Sequence, residues 1–254
     1  MILQDMSVAI TGAGSGLGAA TARRFAKAGA VVACLDLSET AAQSIAAEVG
    51  GSAHAVDVSD STAVEAAFRD IEAAQGTPRV VVNCAGIGTA ARILPRDGRL
   101  TIDSFEQVLR VNLLGTYTVM NIAARAIAAA DPTGADDARG VIINTASVAF
   151  EDGQIGQAAY SASKGGIVSM TLPAARELAR FGIRVMAIAP GLFETSMSAG
   201  LSDDIRAEIL KAVPYPSRMG DADEYAQLAQ SIVENPMLNG TVIRLDAAAR
   251  MPIK

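Results

Sequence analysis

Tryptophan is absent from the 254 residues, histidine occurs once and cysteine twice. A lone His54, on an alternating strand pattern, reads as structural; it removes Ser/His/Asp hydrolysis and any multi-histidine metal site from contention, so no metal is expected. Two thiols in a chain of this size read as reduced cysteines and not as a disulfide framework. Aromatics make up only 4% of the residues while hydrophobic residues make up 50%. The core must therefore be packed by Ala, Val, Ile and Gly, which suits helices lying close on a parallel sheet. No run of Lys or Arg forms a basic stripe and the formal net charge is -6, so nucleic acid is not an expected ligand. The longest apolar tract, Leu113 to Ala130, carries Asn121, Arg125 and many small residues, and reads as a packed helix and not a membrane span. The opening residues show neither a basic segment followed by an apolar one nor an Arg-rich transit pattern, and the expected location is cytoplasmic.

What is present is a regular alternation of short apolar runs and helical patterns. Ser7 to Thr11 is a strand, followed by Thr11-Gly12-Ala13-Gly14-Ser15-Gly16-Leu17-Gly18 and a helix that Gly29 ends. Val31 to Leu35 is a second strand, closing on Asp36. A Gly-rich turn between a strand and a helix lets backbone approach a pyrophosphate at the helix N-terminus. Asp36 then has a specific use: its carboxylate accepts from a ribose diol and repels a 2′-phosphate, which favours NAD over NADP. The expected fold is α/β, a Rossmann-like doubly wound, seven-stranded parallel sheet with helices on both faces, in one domain over residues 1–254.

Further strands are expected over Ser52 to Val56, Arg79 to Asn83, Val141 to Thr145, Arg184 to Ala189 and Thr241 to Leu245. Asp57-Val58 follows the third of the seven; its acid either accepts from an adenine amino group or caps the next helix. Asn83-Cys84-Ala85-Gly86 follows the fourth, where small residues allow close approach of a nucleotide or simply form a tight turn. The loop from Gly88 to Thr101, with Arg92, Arg96 and Arg99, reads either as solvated or as a rim attracting an anionic substrate tail. Ser104 to Ala130 reads as one long helix interrupted around Asn112 to Gly115, where a kink would let Asn112 hold a water. Pro190-Gly191-Leu192-Phe193-Glu194-Thr195 leaves the sixth strand on the crevice side. Leu192 to Val213, with Met197, reads as a lid.

The stretch from Ser147 to Lys164 carries the chemistry. Tyr160 and Lys164 stand four apart, on one face of a helix, and Ser147 follows a strand end. A Tyr-x-x-x-Lys spacing alone is common on surface helices. A cation at ~4 Å, at an effective dielectric near ~20, is worth roughly 4 kcal/mol, or about three pKa units. Lys164, helped by a second positive charge, would on this estimate make Tyr160 a proton acceptor near neutrality.

Together the Gly-rich turn, Asn-Cys-Ala-Gly, Ser147 and Tyr160-x-x-x-Lys164 resemble the short-chain dehydrogenase/reductase family over essentially the whole chain. The stretches Gly140 to Ser147, Gly156 to Val168, Ile188 to Phe193 and Asn239 to Asp246 look like its branch of type-2, short-chain 3-hydroxyacyl-CoA dehydrogenases. The resemblance implies that Tyr160 is the acid/base, Lys164 bonds the nicotinamide ribose and lowers the Tyr160 pKa, Ser147 holds the substrate oxygen and Asn112 anchors a relay water. It implies an NAD site lined by Ser15, Leu17, Asp36, Asp57, Val58, Cys84, Phe193 and Thr195, and a substrate contact at Gln154. The implied reaction is reversible oxidation of a 3-hydroxyacyl-CoA in fatty or branched-chain acyl metabolism by a homotetramer. A hydroxysteroid or other secondary-alcohol dehydrogenase is the alternative, with a 3-oxoacyl-carrier-protein reductase or a non-catalytic scaffold behind it. This chain departs from the family pattern at Cys84, in place of a second Asn, and at Ala247, where Gly is usual.

Overall fold

Strands form where short runs of Val, Ile and Ala are too brief for a helix and are covered on both sides. The computed structural model describes residues 1–133, 135–195 and 210–253. Its strands are β1 (Ser7–Thr11), β2 (Val31–Asp36), β3 (Ser52–Ala55), β4 (Val80–Asn83), β5 (Gly140–Thr145), β6 (Ile183–Pro190) and β7 (Val242–Leu245). They make one sheet in the order β3-β2-β1-β4-β5-β6-β7, every pair parallel. Strand order reverses between β1 and β4, and at such a switch the loops leaving the carboxyl ends diverge and open a crevice.

The two faces follow from side-chain alternation along each strand. Val8, Ile10, Val80, Val82, Val141 and Ile143 point to one side. There they meet Phe25 of α1 (Gly16–Lys27), Ile45 of α2 (Glu39–Val49) and Tyr225 and Ile232 of α7 (Ala222–Glu234). Ala9, Val81, Ile142 and Val185 point to the other side. That face is covered by α3 (Ser61–Gln75), α5 (Gly115–Ala129) and α6 (Ala158–Leu178), through Phe68, Val119, Ile127 and Ala175. The expected doubly wound sheet is thus observed.

Helix starts also follow from local chemistry. Ser38 caps α2 and Asp60 caps α3, while Asp221 and Glu224 form a reciprocal capping box at α7. The capping role offered to Asp57 therefore belongs to Asp60; Asp57 Oδ1 instead accepts from the Ser59 backbone N–H and hydroxyl, both at 2.8 Å. The interruption expected within Ser104 to Ala130 is a π-helical turn, Arg110–Leu114, between α4 (Ile102–Leu109) and α5. The wider turn carries Asn112 inward to full burial. Most of the expected lid, including Met197, lies outside the described residues.

After β7 the backbone of Ala247 and Ala248 turns left-handed, at φ 50° and 60°. An L-residue there is strained by roughly 1–2 kcal/mol, which glycine avoids at some cost in unfolded-chain entropy. Ala247→Gly is accordingly expected to stabilise the protein by about 0.5–1 kcal/mol, read as a higher urea midpoint at constant slope. An unchanged or lower midpoint would contradict this account of the turn.

Candidate active site

At the switch point the Gly-rich turn packs against the loop after β4 more closely than any side chain allows. A Cβ on Gly12 (φ 65°) would lie 2.8 Å from the Ala85 nitrogen, and one on Gly18 would lie 2.1 Å from the Gly12 carbonyl oxygen. The Asp36 carboxylate pins the turn: it accepts from the Gly14 N–H and the Ser38 N–H, both at 2.9 Å. Asp36 is thus a turn carboxylate as well as the candidate ribose acceptor, and each oxygen keeps a second lone pair for that use. Gly16 faces Thr195 across the crevice, its Cβ position 3.4 Å from that side chain. Ser15 is exposed at the mouth, and Leu17 is partly buried against the core.

These residues fit a dinucleotide. Ser15 does not cap α1 with its side chain, in contrast to the capping side chains of α2, α3 and α7, and no acid stands in the first turn of α1. The positive end of that helix is left for an anion from outside. Across the crevice, Asp57 is exposed, and Val58 is buried against Gly115, whose Cβ would meet Val58 Cγ2 at 2.6 Å.

Asn112 shapes the next part of the wall. Its Oδ1 accepts from the Ile87 N–H at 2.8 Å; its Nδ2 donates to the Ile87 carbonyl at 2.9 Å and to Ser163 Oγ at 3.1 Å. Both amide protons are therefore spent on protein, so a relay water is left only an acceptor position on this side chain. A Cβ on Gly86 would lie 3.1 Å from Asn112 Oδ1 and 3.7 Å from Lys164 Nζ, so Gly86 keeps that corner open.

Ser147, Tyr160 and Lys164 come together at the end of β5. Ser147 is buried just past the strand, its Oγ accepting from the Ala149 N–H at 3.2 Å. Lys164 Nζ lies 5.7 Å from the centre of the Tyr160 ring and donates to the Thr145 carbonyl at 2.7 Å. Burial lowers the ammonium to about 8, opposed by the Cys84 sulfur. Burial also raises the Tyr160 phenol, and it is the Ser147 hydroxyl, by hydrogen bonding, that pulls it back down. The electrostatic expectation included a second positive charge brought from outside the chain; without it burial is the larger influence, and the bare site holds Tyr160 protonated.

Behind the lysine lies a layer of polar groups whose pairing the sequence reading did not foresee, Thr145 and Tyr225 with the already noted Cys84. Thr145 Oγ1 and the Tyr225 hydroxyl are 2.7 Å apart, and both approach Cys84 Sγ, at 3.6 Å and 3.7 Å. On the opposite face Thr11, Asn83 and Asn144 stand side by side on β1, β4 and β5. Asn83 Nδ2 donates to Asn144 Oδ1 at 2.9 Å, and Ala85 N–H donates to Thr11 Oγ1 at 3.2 Å. A polar residue closing three adjacent strands was the available signal for that ladder.

The remaining candidate residues for cofactor and substrate are less convergent. Pro190 ends β6, and Phe193 packs its ring on Gly220, whose Cβ would meet it at 2.6 Å. Gln154 Nε2 donates to the Pro252 carbonyl at 3.2 Å, so in this structure the side chain holds the C-terminal tail. Arg92, Arg96 and Arg99 are exposed, and Arg99 pairs with Asp97 at 3.5 Å.

A Gly-rich βαβ turn at a switch point, beside a Ser/Tyr/Lys cluster on one strand end, defines a nucleotide-dependent oxidoreductase site. The family model for the short chain dehydrogenase matches residues 6–206, and the chain belongs to that family. It is 49% identical to the 3-hydroxyacyl-CoA dehydrogenase type-2 of Bos taurus, over 95% of this chain and 94% of the relative. The crystal structure of 3-hydroxyacyl-CoA dehydrogenase type-2 from Mycobacterium avium superposes with a TM-score of 0.92 at 37% identity, covering 98% of this chain and 97% of that one. A 3-oxoacyl-[acyl-carrier protein] reductase with bound NAD from Brucella melitensis superposes at 0.85 with 30% identity, covering 98% and 92%.

The Lys164 shift has a measurable consequence for stability. The unfolded lysine keeps its proton up to about 10.5 while the folded one releases it near 8. Between those values the unfolded state binds more protons, so this group makes stability rise with pH. The urea midpoint of the cofactor-free wild type should therefore gain on that of Lys164→Met as pH climbs from 8 toward 10.5. A gap that stays constant with pH would mean that Lys164 titrates normally.

Proposed function

We propose that this chain is an NAD-linked dehydrogenase that interconverts a 3-hydroxyacyl-CoA and its 3-oxoacyl-CoA, in fatty or branched-chain acyl metabolism. The observation that carries the reading is the meeting of Ser147, Tyr160 and Lys164 at the end of β5, beside the open corner at Gly86. The relatives named above support the substrate class.

The cofactor would lie from Asp36 across Gly12, Ser15, Gly16, Leu17 and Gly18. It would pass Asp57, Val58, Cys84, Ala85 and Gly86, and end between Tyr160, Lys164, Pro190, Phe193 and Thr195. Bound there, its nicotinamide ring takes up or gives a hydride and is cationic when oxidised. The chain's own residues do the rest. Ser147 donates to the substrate oxygen and fixes the reacting carbon. In reduction, Tyr160 gives its hydroxyl proton to that oxygen, a task that suits a phenol held protonated by burial. In oxidation the same phenol must first lose its proton, and Lys164 is the neighbouring cation that supports the phenolate. Asn112 orders Ile87 and Ser163 around the lysine and remains the candidate anchor for the relay water.

Asp36 supports NAD over NADP, since a second negative charge beside its carboxylate is repelled. Phe105 of α4, Leu114 of the π-helical turn, Tyr117 of α5 and Leu172 of α6 are exposed, side chains suited to packing between subunits of a homotetramer. Among the described residues no helix is long and apolar enough to cross a membrane, and Cys34 and Cys84 are unpaired, in keeping with a reducing, cytoplasmic setting.

Two experiments test the reading. Tyr160→Phe should abolish reduction of acetoacetyl-CoA by NADH, while NADH still binds by fluorescence titration; near-normal turnover would remove Tyr160 from the reaction. Asp36→Ala should lower the NAD-to-NADP ratio of kcat/KM by about tenfold or more, the scale of a lost charge-assisted hydrogen bond. An unchanged ratio would assign Asp36 to the turn alone.

A further inference from the structure

We propose that Tyr225 is a positioning residue for Lys164: through Thr145 its hydroxyl fixes the end of β5, where the Thr145 carbonyl seats the lysine ammonium. This inference rests on the assignment of Lys164 to the reacting group.

Tyr225 and Lys164 lie on opposite faces of the sheet, on α7 and α6. They share one residue. The Thr145 side chain points with Val141 and Ile143 toward α7, and its Oγ1 is 2.7 Å from the Tyr225 hydroxyl. The carbonyl of the same residue receives Lys164 Nζ at 2.7 Å. Thr145 is paired with Ile188 of β6, but the register with β4 ends one residue earlier, at Asn144; a buried bond from behind fixes the residue on that open side. Cys84 Sγ, within 3.7 Å of both hydroxyls, joins the end of β4 to the same knot.

Packing alone does not ask for a hydroxyl here. Tyr225 is 0% exposed in a cluster whose other α7 members are Ala229, Ile232 and Val233. A buried hydroxyl opposes folding unless it is bonded, and phenylalanine fills the same space without that need. The bond therefore serves Thr145. Burial raises both the Tyr225 phenol and the Cys84 thiol, so the knot is neutral near physiological pH and acts through geometry.

The groups facing the ammonium are Tyr160 from its own helix, Cys84 from the loop after β4, Asn112 across Gly86 and the Thr145 carbonyl from β5. None is a carboxylate. The Thr145 carbonyl is the acceptor that the ammonium bonds directly, at 2.7 Å, and loosening that bond lowers the proton affinity of the lysine.

The test is reduction of acetoacetyl-CoA by NADH in Tyr225→Phe, Thr145→Val, Thr145→Ser and the double variant Tyr225→Phe/Thr145→Val. Tyr225→Phe is expected to lower kcat about tenfold, the scale of one hydrogen bond, with KM little changed, and to move the alkaline limb of the pH profile down. Thr145→Val should reproduce that pattern, Thr145→Ser should restore the wild-type profile, and the double variant should be no worse than either single one. A wild-type kcat and pH profile in Tyr225→Phe would overturn the proposal, and so would additive losses in the double variant. Should Tyr225→Phe fail to fold, the Val/Ser pair at Thr145 decides alone: equal profiles refute it. If Tyr160→Phe and Lys164→Met stay active, the site reading itself has failed; if both are inactive and Tyr225→Phe is normal, only the positioning role has.

Discussion

A buried ammonium resting on a strand-end carbonyl is the contact on which the rest of this site depends. Lys164 is 5% exposed and bonds the Thr145 oxygen at 2.7 Å. Among the described residues no carboxylate opposes the burial, which draws it down to about 8. The same burial raises the neighbouring phenol. Desolvation pushes both groups toward their neutral forms, yet a lysine held at about 8 keeps its proton near neutral pH, so the crevice carries one positive charge beside a neutral phenol. The start of α1, which Ser15 does not cap with its side chain, adds a second positive pole.

The platform beneath that contact is rigid for a traceable reason. At the carboxyl ends of β1, β4 and β5, where apolar runs give way to loops, the side chains of Thr11, Asn83 and Asn144 bridge neighbouring strands on one face. Thr145, Cys84 and Tyr225 do so on the other. Asn112 adds a clamp on the Ile87 backbone from the π-helical turn. Each bond is modest on net, about 0.5–1.5 kcal/mol, but leaving any of these buried groups unmatched costs more. The strand ends are thereby held in one arrangement, and glycines at 12, 18 and 86 let backbone and lysine approach without side-chain interference.

The fold was legible in the sequence because its signals are local: strand-length apolar runs, a Gly-rich turn and an acid closing the second strand. Ser147, Tyr160 and Lys164 were legible because two of them share a helix face and the third ends a strand. What escaped depends on pairings across long separations. Tyr225 meets Thr145 80 residues away, and nothing around either residue announces the other. The balance at Tyr160 escaped for a different reason: a charge estimate at fixed dielectric has no desolvation in it, and burial is a property of the packed molecule. Asp57 and Asp60 show the limit at short range, since either acid suits a cap and only the helix start at Ser61 chooses between them.

The proposed substrate side, the loop after Ser147 and the C-terminal tail, is built on another principle, and that difference bears on what can vary. Arg244 at the end of β7 bonds Glu151 at 2.6 Å, Asp152 at 2.7 Å and Asp246 at 2.8 Å. Gln154 holds the tail at Pro252. These contacts tie the loop after Ser147 to the C-terminal tail by partly exposed ion pairs and a strained left-handed turn, not by buried neutral bonds. Partly buried pairs tolerate rearrangement better than a satisfied network in the interior, because water can replace a lost partner. The wall facing a substrate can therefore be reshaped without disturbing the carbonyl that seats Lys164. On the proposed function, a scaffold divided in this way keeps one proton-transfer geometry while its substrate walls diverge, which is why fold and chemistry are legible in local sequence signals and the identity of the acyl group is not.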